Sequence, residues 1–230
     1  MIQPREVGFI ESGQRLVQPD GRNWNQQQLL AAARRAELHH TGWPIGLVLD
    51  GTGYRPTPTP NGIEARNSHT GSGGTEDYWS LRTDGSYYVS RLFEEDFNDP
   101  PFTNSRGHPD LSIWFDLRIR RITEVILHSA TLYRELDIAP DEPFVLSVNH
   151  RGLLGREFYV STPSRGVIRG RTCQSPTATW IREVTQDYVT SNIKSLVGEA
   201  ANGLFVLFDF ARIEQQVVDE LVDDFLSHRF

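Results

Sequence analysis

Two aromatic runs flank one tight turn: Tyr78-Trp79-Ser80-Leu81-Arg82 and Tyr87-Tyr88-Val89-Ser90-Arg91-Leu92 lie either side of Thr83-Asp84-Gly85-Ser86. Asp-Gly supplies the positive φ angles that a tight hairpin turn requires. This pair constrains the fold most, because it commits the centre of the chain to antiparallel strands.

The rest of the chain is read around it. Leu29, Leu30, Ala33 and Leu38 recur near a helical repeat, which predicts a helix from about Asn25 to His39. Thr41-Gly42-Trp43-Pro44 breaks it, and Ile45–Leu49 reads as a buried strand. Residues 52–75, rich in proline, threonine and glycine, read as a long excursion with a short strand at Gly62–Ala65. Ile113-Trp114-Phe115 reads as a short strand or helix entry, with Asp116 as N-cap. The strongest helix runs from about Leu117 to Leu136. Its apolar face is Ile119, Ile122, Ile126, Ala130, Tyr133 and Leu136, with Arg118, Arg121, Arg134 and Glu135 expected to stay wet. A second hairpin is expected from Phe144–Asn149 and Glu157–Ser161, followed by a strand near Val167–Thr172. Trp180–Tyr188 favours a strand. Thr190 or Ser191 then caps a helix to about Ala201, and a last helix spans roughly Ile213–Leu226. The expected fold class is α+β, a mainly antiparallel sheet built from hairpins with helices packed on it. Residues 1–40 read as an N-terminal extension with one helix, and 41–230 as a single domain.

Composition excludes several function classes. The single cysteine, Cys173, rules out an intrachain disulfide and a cysteine-based zinc site. No apolar run approaches the roughly 18 residues of a membrane span. Met1–Glu6 opens with no apolar stretch of signal-peptide length, so a cytoplasmic protein without a membrane is expected. The seven histidines form no HExxH pair or other spaced ligand set, and His128 reads as a packing residue. No GxSxG elbow occurs, and Gly71-Ser72-Gly73-Gly74-Thr75 lacks the GxxxxGK[ST] pattern of a phosphate loop. Neither a metal nor a cofactor is implied. Glu94-Glu95-Asp96 and Asp223-Asp224 read as solvated acid runs. Tyr78-Trp79 and Tyr87-Tyr88 could form a stacking platform for bases, but alternation puts only about half of them on one face, so core packing is preferred.

One local feature carries a physical argument for binding. From His150 to Arg171 the chain holds Arg151, Arg156, Arg165, Arg169 and Arg171 against one acid, Glu157, in a protein of formal net charge −7. A basic island in an acidic chain can hold a phosphate, a carboxylate or an acidic partner. Alternatives are a solvated strand edge that discourages aggregation, or salt bridges to the acidic C-terminal helix. Lys194 is the single lysine, and the bland source of so much arginine is a GC-rich genome.

Thr41-Gly42-Trp43-Pro44-Ile45-Gly46, Asp77-Tyr78-Trp79, Arg82–Tyr88, Gly152-Leu153-Leu154-Gly155-Arg156 and Leu204–Phe210 occur in that order. Together they resemble phrases in the C-terminal region of bacterial proteins that carry an N-terminal Schlafen AlbA-type domain, a DNA-binding or ATP-binding module. The resemblance covers roughly residues 40–228, and the AlbA-type domain itself is not seen in this chain. It implies an accessory or sensing module. Three readings follow: a non-catalytic module acting through a protein partner or homo-oligomer; a nucleic-acid or nucleotide-binding module using the Arg-rich hairpin at 150–171; and a phosphodiester hydrolase with a dispersed site. Carboxylates converging beside the arginines would favour the third.

Overall fold

Strand pairing, more than helix packing, decides this architecture. The computed structural model describes residues 7–40, 43–51, 53–69, 75–97, 112–159 and 170–227. Within them the strands are β1 (Phe9–Leu16), β2 (Thr57–Thr59), β3 (Gly62–His69), β4 (Thr75–Arg82), β5 (Tyr87–Leu92), β6 (Ser112–Trp114), β7 (Phe144–Arg151), β8 (Glu157–Tyr159) and β9 (Thr177–Val184). The helices are α1 (Gln26–Arg35), α2 (Phe115–Glu135), α3 (Gln186–Phe205) and α4 (Gln215–Leu226). Seven strands form one antiparallel sheet in the order β2-β3-β4-β5-β1-β7-β9, and β6 and β8 make a small parallel pair beside it. The α+β fold with a mainly antiparallel sheet is therefore what the chain adopts.

The β4–β5 hairpin forms as its turn predicts, with Gly85 at φ 81°. β1 was not anticipated. It lies in the middle of the sheet, pairing with β5 on one side and β7 on the other. The boundary expected at residue 40 would leave this strand outside the domain whose sheet it completes. α1 also packs into the core through Leu29, Ala32 and Ala33, and begins with a capping box between Asn25 and Gln28.

Alternation sends one set of side chains to each face of the sheet. Ile63, Trp79, Leu81, Val89, Ile10, Leu146 and Val148 face the helices and are buried. α2 packs on β7 and is itself covered by α3 and α4. Because it is enclosed on several sides, its burial runs well beyond one apolar stripe and includes Arg118, Arg121, Thr123 and Glu124.

Several expectations are corrected. Ile45–Leu49 is not a strand but a loop packed against the β3–β4 end of the sheet. Its Leu47 carbonyl accepts from Trp79 Nε1 and Asn67 Nδ2, so side chains take the place of ladder bonds. Gly46 sits at φ 73°, where a Cβ would lie 2.6 Å from His128 Nε2 and 2.9 Å from the Tyr87 hydroxyl; no larger residue fits. The excursion at 52–75 contains a full eight-residue strand, β3. Its Gly71–Gly74 segment lies outside the described residues. Phe144–Asn149 and Glu157–Ser161 do not form a hairpin: β7 pairs with β1 and β9, whereas β8 pairs with β6. Trp114, not Asp116, is the N-cap of α2. α3 starts five or six residues earlier than either expected cap, Thr190 or Ser191, would place it; the Thr185 hydroxyl caps it, and it bends at Asn192.

Candidate functional site

The β5–α2 junction collects the most chemistry. Phe93 ends the exit from β5, and a single 3-10 turn, Glu94–Asp96, follows it. These three acids were expected to be solvated. They are instead packed among arginines drawn from β5, α2 and the 152–156 turn, and the cause is long-range.

Arg118 Nη2 donates to Glu94 Oε2 at 2.8 Å and to Glu95 Oε2 at 2.7 Å. Arg121 reaches Glu94 Oε1 at 2.7 Å and Glu124 Oε2 at 2.6 Å. Arg91 Nε lies 3.2 Å from Glu94 and 3.5 Å from Asp77. Arg156 meets Asp96 with two parallel bonds of 2.7 Å, and its Nε donates to the Gly152 carbonyl at 2.6 Å. The Gly8 amide donates to the same Asp96 carboxylate, tying the entry of β1 to the turn. Phe93 carries the Arg118 and Arg156 guanidiniums 4.5 and 5.0 Å from its ring centre. Trp43 caps the group: its indole donates to Asp77 and its carbonyl accepts from Arg91.

Electrostatics follow from burial and pairing together. Burial alone would raise the Glu94 carboxyl, but the Arg121, Arg91 and Arg118 charges overcome it and hold it well below the usual carboxylate range. Burial raises Glu95 and Asp77, against the pull of Arg118 and Arg91 respectively. Nearby His150 is buried, and burial with Arg118 beside it depresses its pKa to about 3. The cluster matches the carboxylate convergence that a hydrolase reading calls for. Yet its carboxylates are engaged by arginines, indole or backbone donors, and among the described residues no group of three or more His, Cys, Asp or Glu could hold a metal ion. It is a clamp joining β1, β5, α2 and the 152–156 turn.

The Arg-rich stretch is dispersed by this arrangement. Arg156 is 1% exposed and spends its donors on Asp96 and backbone. Arg151, at the end of β7, is exposed but pairs with Glu11 at 2.6 Å. Arg171 donates to the Asp209 carbonyl at 2.8 Å. Arg165 and Arg169 lie outside the described residues. The sequence reads this stretch as a basic island open to an anion; Arg156 is instead buried against a carboxylate 60 positions away.

Two other surfaces stand out. The sheet face opposite the helices carries Glu64, Ser80, Tyr88, Gly13, Ser147 and Ile181 across one row of paired strands, and Arg66, Tyr78, Ser90, Glu11, Asn149 and Thr179 across the next. Of the aromatic pairs, Trp79 and Tyr87 are in the core, whereas Tyr78 and Tyr88 are on this open face. The Tyr78 hydroxyl donates to Glu64 at 2.9 Å and the Tyr88 hydroxyl to Glu11 at 2.7 Å. Partial burial and the Glu11 bond raise Tyr88 to about 12.

The second surface is a cleft of about 850 Å³ between the 154–155 turn, the 170–175 segment and the end of α3. Leu154, Val206 and Phe210 stand exposed on it, Phe210 at 82%. Asp209 and Phe210 both hold left-handed backbone, φ 53° and 56°. That conformation is uncommon for side-chain-bearing residues and an outlier for a bulky one. It is sustained by the Phe210 amide donating to Val206, the Ala211 amide donating to Phe208, and Arg171 on the Asp209 carbonyl. Buried Phe208 anchors the turn against Phe158. Cys173, which also lines the cleft, is buried, and burial raises its thiol above the ordinary range. The apolar run Leu204–Phe208 was visible in sequence; the reversal that turns Phe210 outward was not.

Comparison with protein-family models, curated proteins and solved structures finds no match to this chain.

Proposed function

We propose that this chain is a non-catalytic contact module, accessory to or sensing for another protein, and that it docks through the cleft at Leu154, Val206 and Phe210. One observation carries this reading: backbone strain of about 1–3 kcal/mol per residue is maintained to hold an aromatic ring in solvent beside an apolar cleft. Large exposed aromatics beside a concavity are the anchors from which protein contacts draw their energy. The cleft suits a protein partner or a second copy of the chain. The accessory role implied by the resemblance to AlbA-associated proteins points the same way. Nucleic acid is the weaker reading, because Arg151, Arg156 and Arg171 are each paired within the chain.

Sedimentation and light scattering of the wild type and of Phe210→Asp test it, followed by affinity capture from the native host with both. A homo-oligomer that dissociates in the variant, or a captured partner lost from it, supports the cleft as the docking surface. The same oligomeric state and the same captured proteins in both would overturn it. Binding to single-stranded nucleic acid that weakens steeply with salt would move the reading to the arginines.

A further inference from the structure

On the open sheet face a second concavity of about 440 Å³ lies over β3, β4 and β5. Its volume falls within the roughly 300–1,000 Å³ typical of small-molecule sites. It shares no residue with the Phe210 cleft. Ser80 sits at its centre in the strand rows, opposite Glu64 on one side and Tyr88 on the other. Tyr78 and Tyr88 also line it, ring centres 6.2 Å apart, with both hydroxyls tied to carboxylates and the rings thereby held in place. Thr59 at the end of β2, with Asn61 and Ser86 in the turns, supplies hydroxyl and amide groups around it.

Two charged groups in this groove have capacity to spare. Glu64 gives Oε2 to the Tyr78 hydroxyl, and no bond to its other oxygen is present among the described residues. Arg82, exposed at the end of β4, makes no side-chain hydrogen bond or ion pair among the described residues. A carboxylate that only accepts and a guanidinium that only donates, two positions apart along the β3–β4 ladder, suit a ligand whose groups do both; hydroxyls do both. The charge of the whole face decides which hydroxylated ligand fits. Strand alternation places Arg15, Arg66, Arg82 and Arg151 on it against Glu11, Glu64, Glu76 and Glu183, so it carries no net field for a polyanion. The chain as a whole is acidic, at −7. A nucleic-acid strand needs a track of cations; here Arg66 pairs with Glu76 and Arg151 with Glu11, and Arg15 and Arg82 by themselves do not make one.

We infer that the β3–β5 groove is a binding site for a neutral polyhydroxylated ligand, an uncharged oligosaccharide. The electron-rich faces of Tyr78 and Tyr88 receive the C–H side of a sugar ring. Glu64 accepts from its hydroxyls, and Arg82, Asn61 and Ser86 donate to them. This gives the sensing role a ligand, yet the groove stands whether or not the Phe210 cleft docks a protein.

The test titrates the full chain with neutral cello-, malto-, xylo- and N-acetylchito-oligosaccharides, read by calorimetry and by amide chemical shifts. At least one series is expected to bind in the millimolar range or tighter, with shifts concentrated at 59–66 and 78–88. Tyr88→Ala and Arg82→Ala each weaken it about tenfold or more. Tyr88→Phe keeps the ring and retains binding, which separates loss of contact from loss of fold. Phe210→Asp leaves the affinity unchanged, so failure of the docking reading does not touch this one. No binding by any series, or binding indifferent to Tyr88→Ala and Arg82→Ala, overturns the proposal. So does a single-stranded oligonucleotide that shifts the same residues more strongly than every sugar.

Discussion

The β5–α2 junction and the open sheet face are made of the same residue types, arginines, carboxylates and aromatic rings, and they behave as opposites. At the junction, Arg156 and Asp96 exchange two bonds at 1% side-chain exposure each. On the open face, Arg151 meets Glu11 at a similar distance, but its side chain is 57% exposed. Coulomb attraction is screened in the second case and strong in the first, while the cost of removing charge from water is large only in the first. A buried ion pair therefore gives little net stability when intact and exacts a heavy penalty when halved. An exposed pair does little either way.

The largest expected effect breaks the buried side. Asp96→Ala leaves the Arg156 guanidinium without its carboxylate and also strands the Gly8 amide, at a cost of about 3–5 kcal/mol in urea unfolding. Replacing both partners with apolar residues, Arg156→Met with Asp96→Leu, recovers most of that loss. A double variant as unstable as Asp96→Ala would mean that the pair contributes more than the absence of an orphaned charge.

Histidine titration sharpens the contrast next. Burial lowers His128 to about 4, from about 6.5 in an unfolded chain. The folded state keeps this ring neutral while the unfolded state takes up a proton, so the stabilisation is full above pH 6.5 and is lost as pH falls towards 4. His128→Gln should remove about 3 kcal/mol of pH-dependent change between those limits. An unchanged slope in chemical denaturation across this range would show that His128 is not buried as described.

Gly46→Ala, in the loop that covers the same interior, adds a methyl where His128 Nε2 and the Tyr87 hydroxyl already stand and forces a left-handed φ on alanine. Its expected cost is about 1–3 kcal/mol by thermal melting. A neutral result would place that loop farther from α2. Smallest of all is Arg151→Ala, at about 0–1 kcal/mol, falling further in high salt. A loss comparable to that of Asp96→Ala would erase the distinction between the two regions.

How much of this could be read in advance depended on distance along the chain. The β4–β5 hairpin was legible because its turn and both strands lie within eighteen residues, and α2 because one apolar stripe is a local repeat. Arg118 and Arg121 were misjudged because the stripe says nothing about what covers the other sides of the helix. Their partners, Glu94 and Glu95, are 23 to 27 positions away, and Asp96 lies 60 positions from Arg156. An acid run after a strand reads as solvated until the arginines that neutralise it are brought in by the fold. The open-face tyrosines were half legible: alternation sends one of each pair outward, but not to which side of the sheet the helices go. Phe210 depended on two successive left-handed residues, a backbone state its side chain disfavours.

β1 has a consequence for how the molecule is assembled and how it can be divided. Its eight residues, near the start of the chain, are the shared seam between the β2–β5 half of the sheet and the β7–β9 half. A ribosome releases this strand before either neighbour exists: one edge waits for β5, complete at residue 92, and the other for β7, complete at residue 151. Any fragment that begins after residue 16 has two half-sheets with no ladder between them and two new raw edges, β5 and β7. Such pieces should stick to copies of themselves rather than fold, and mixing them with a peptide of residues 7–16 should close the sheet again.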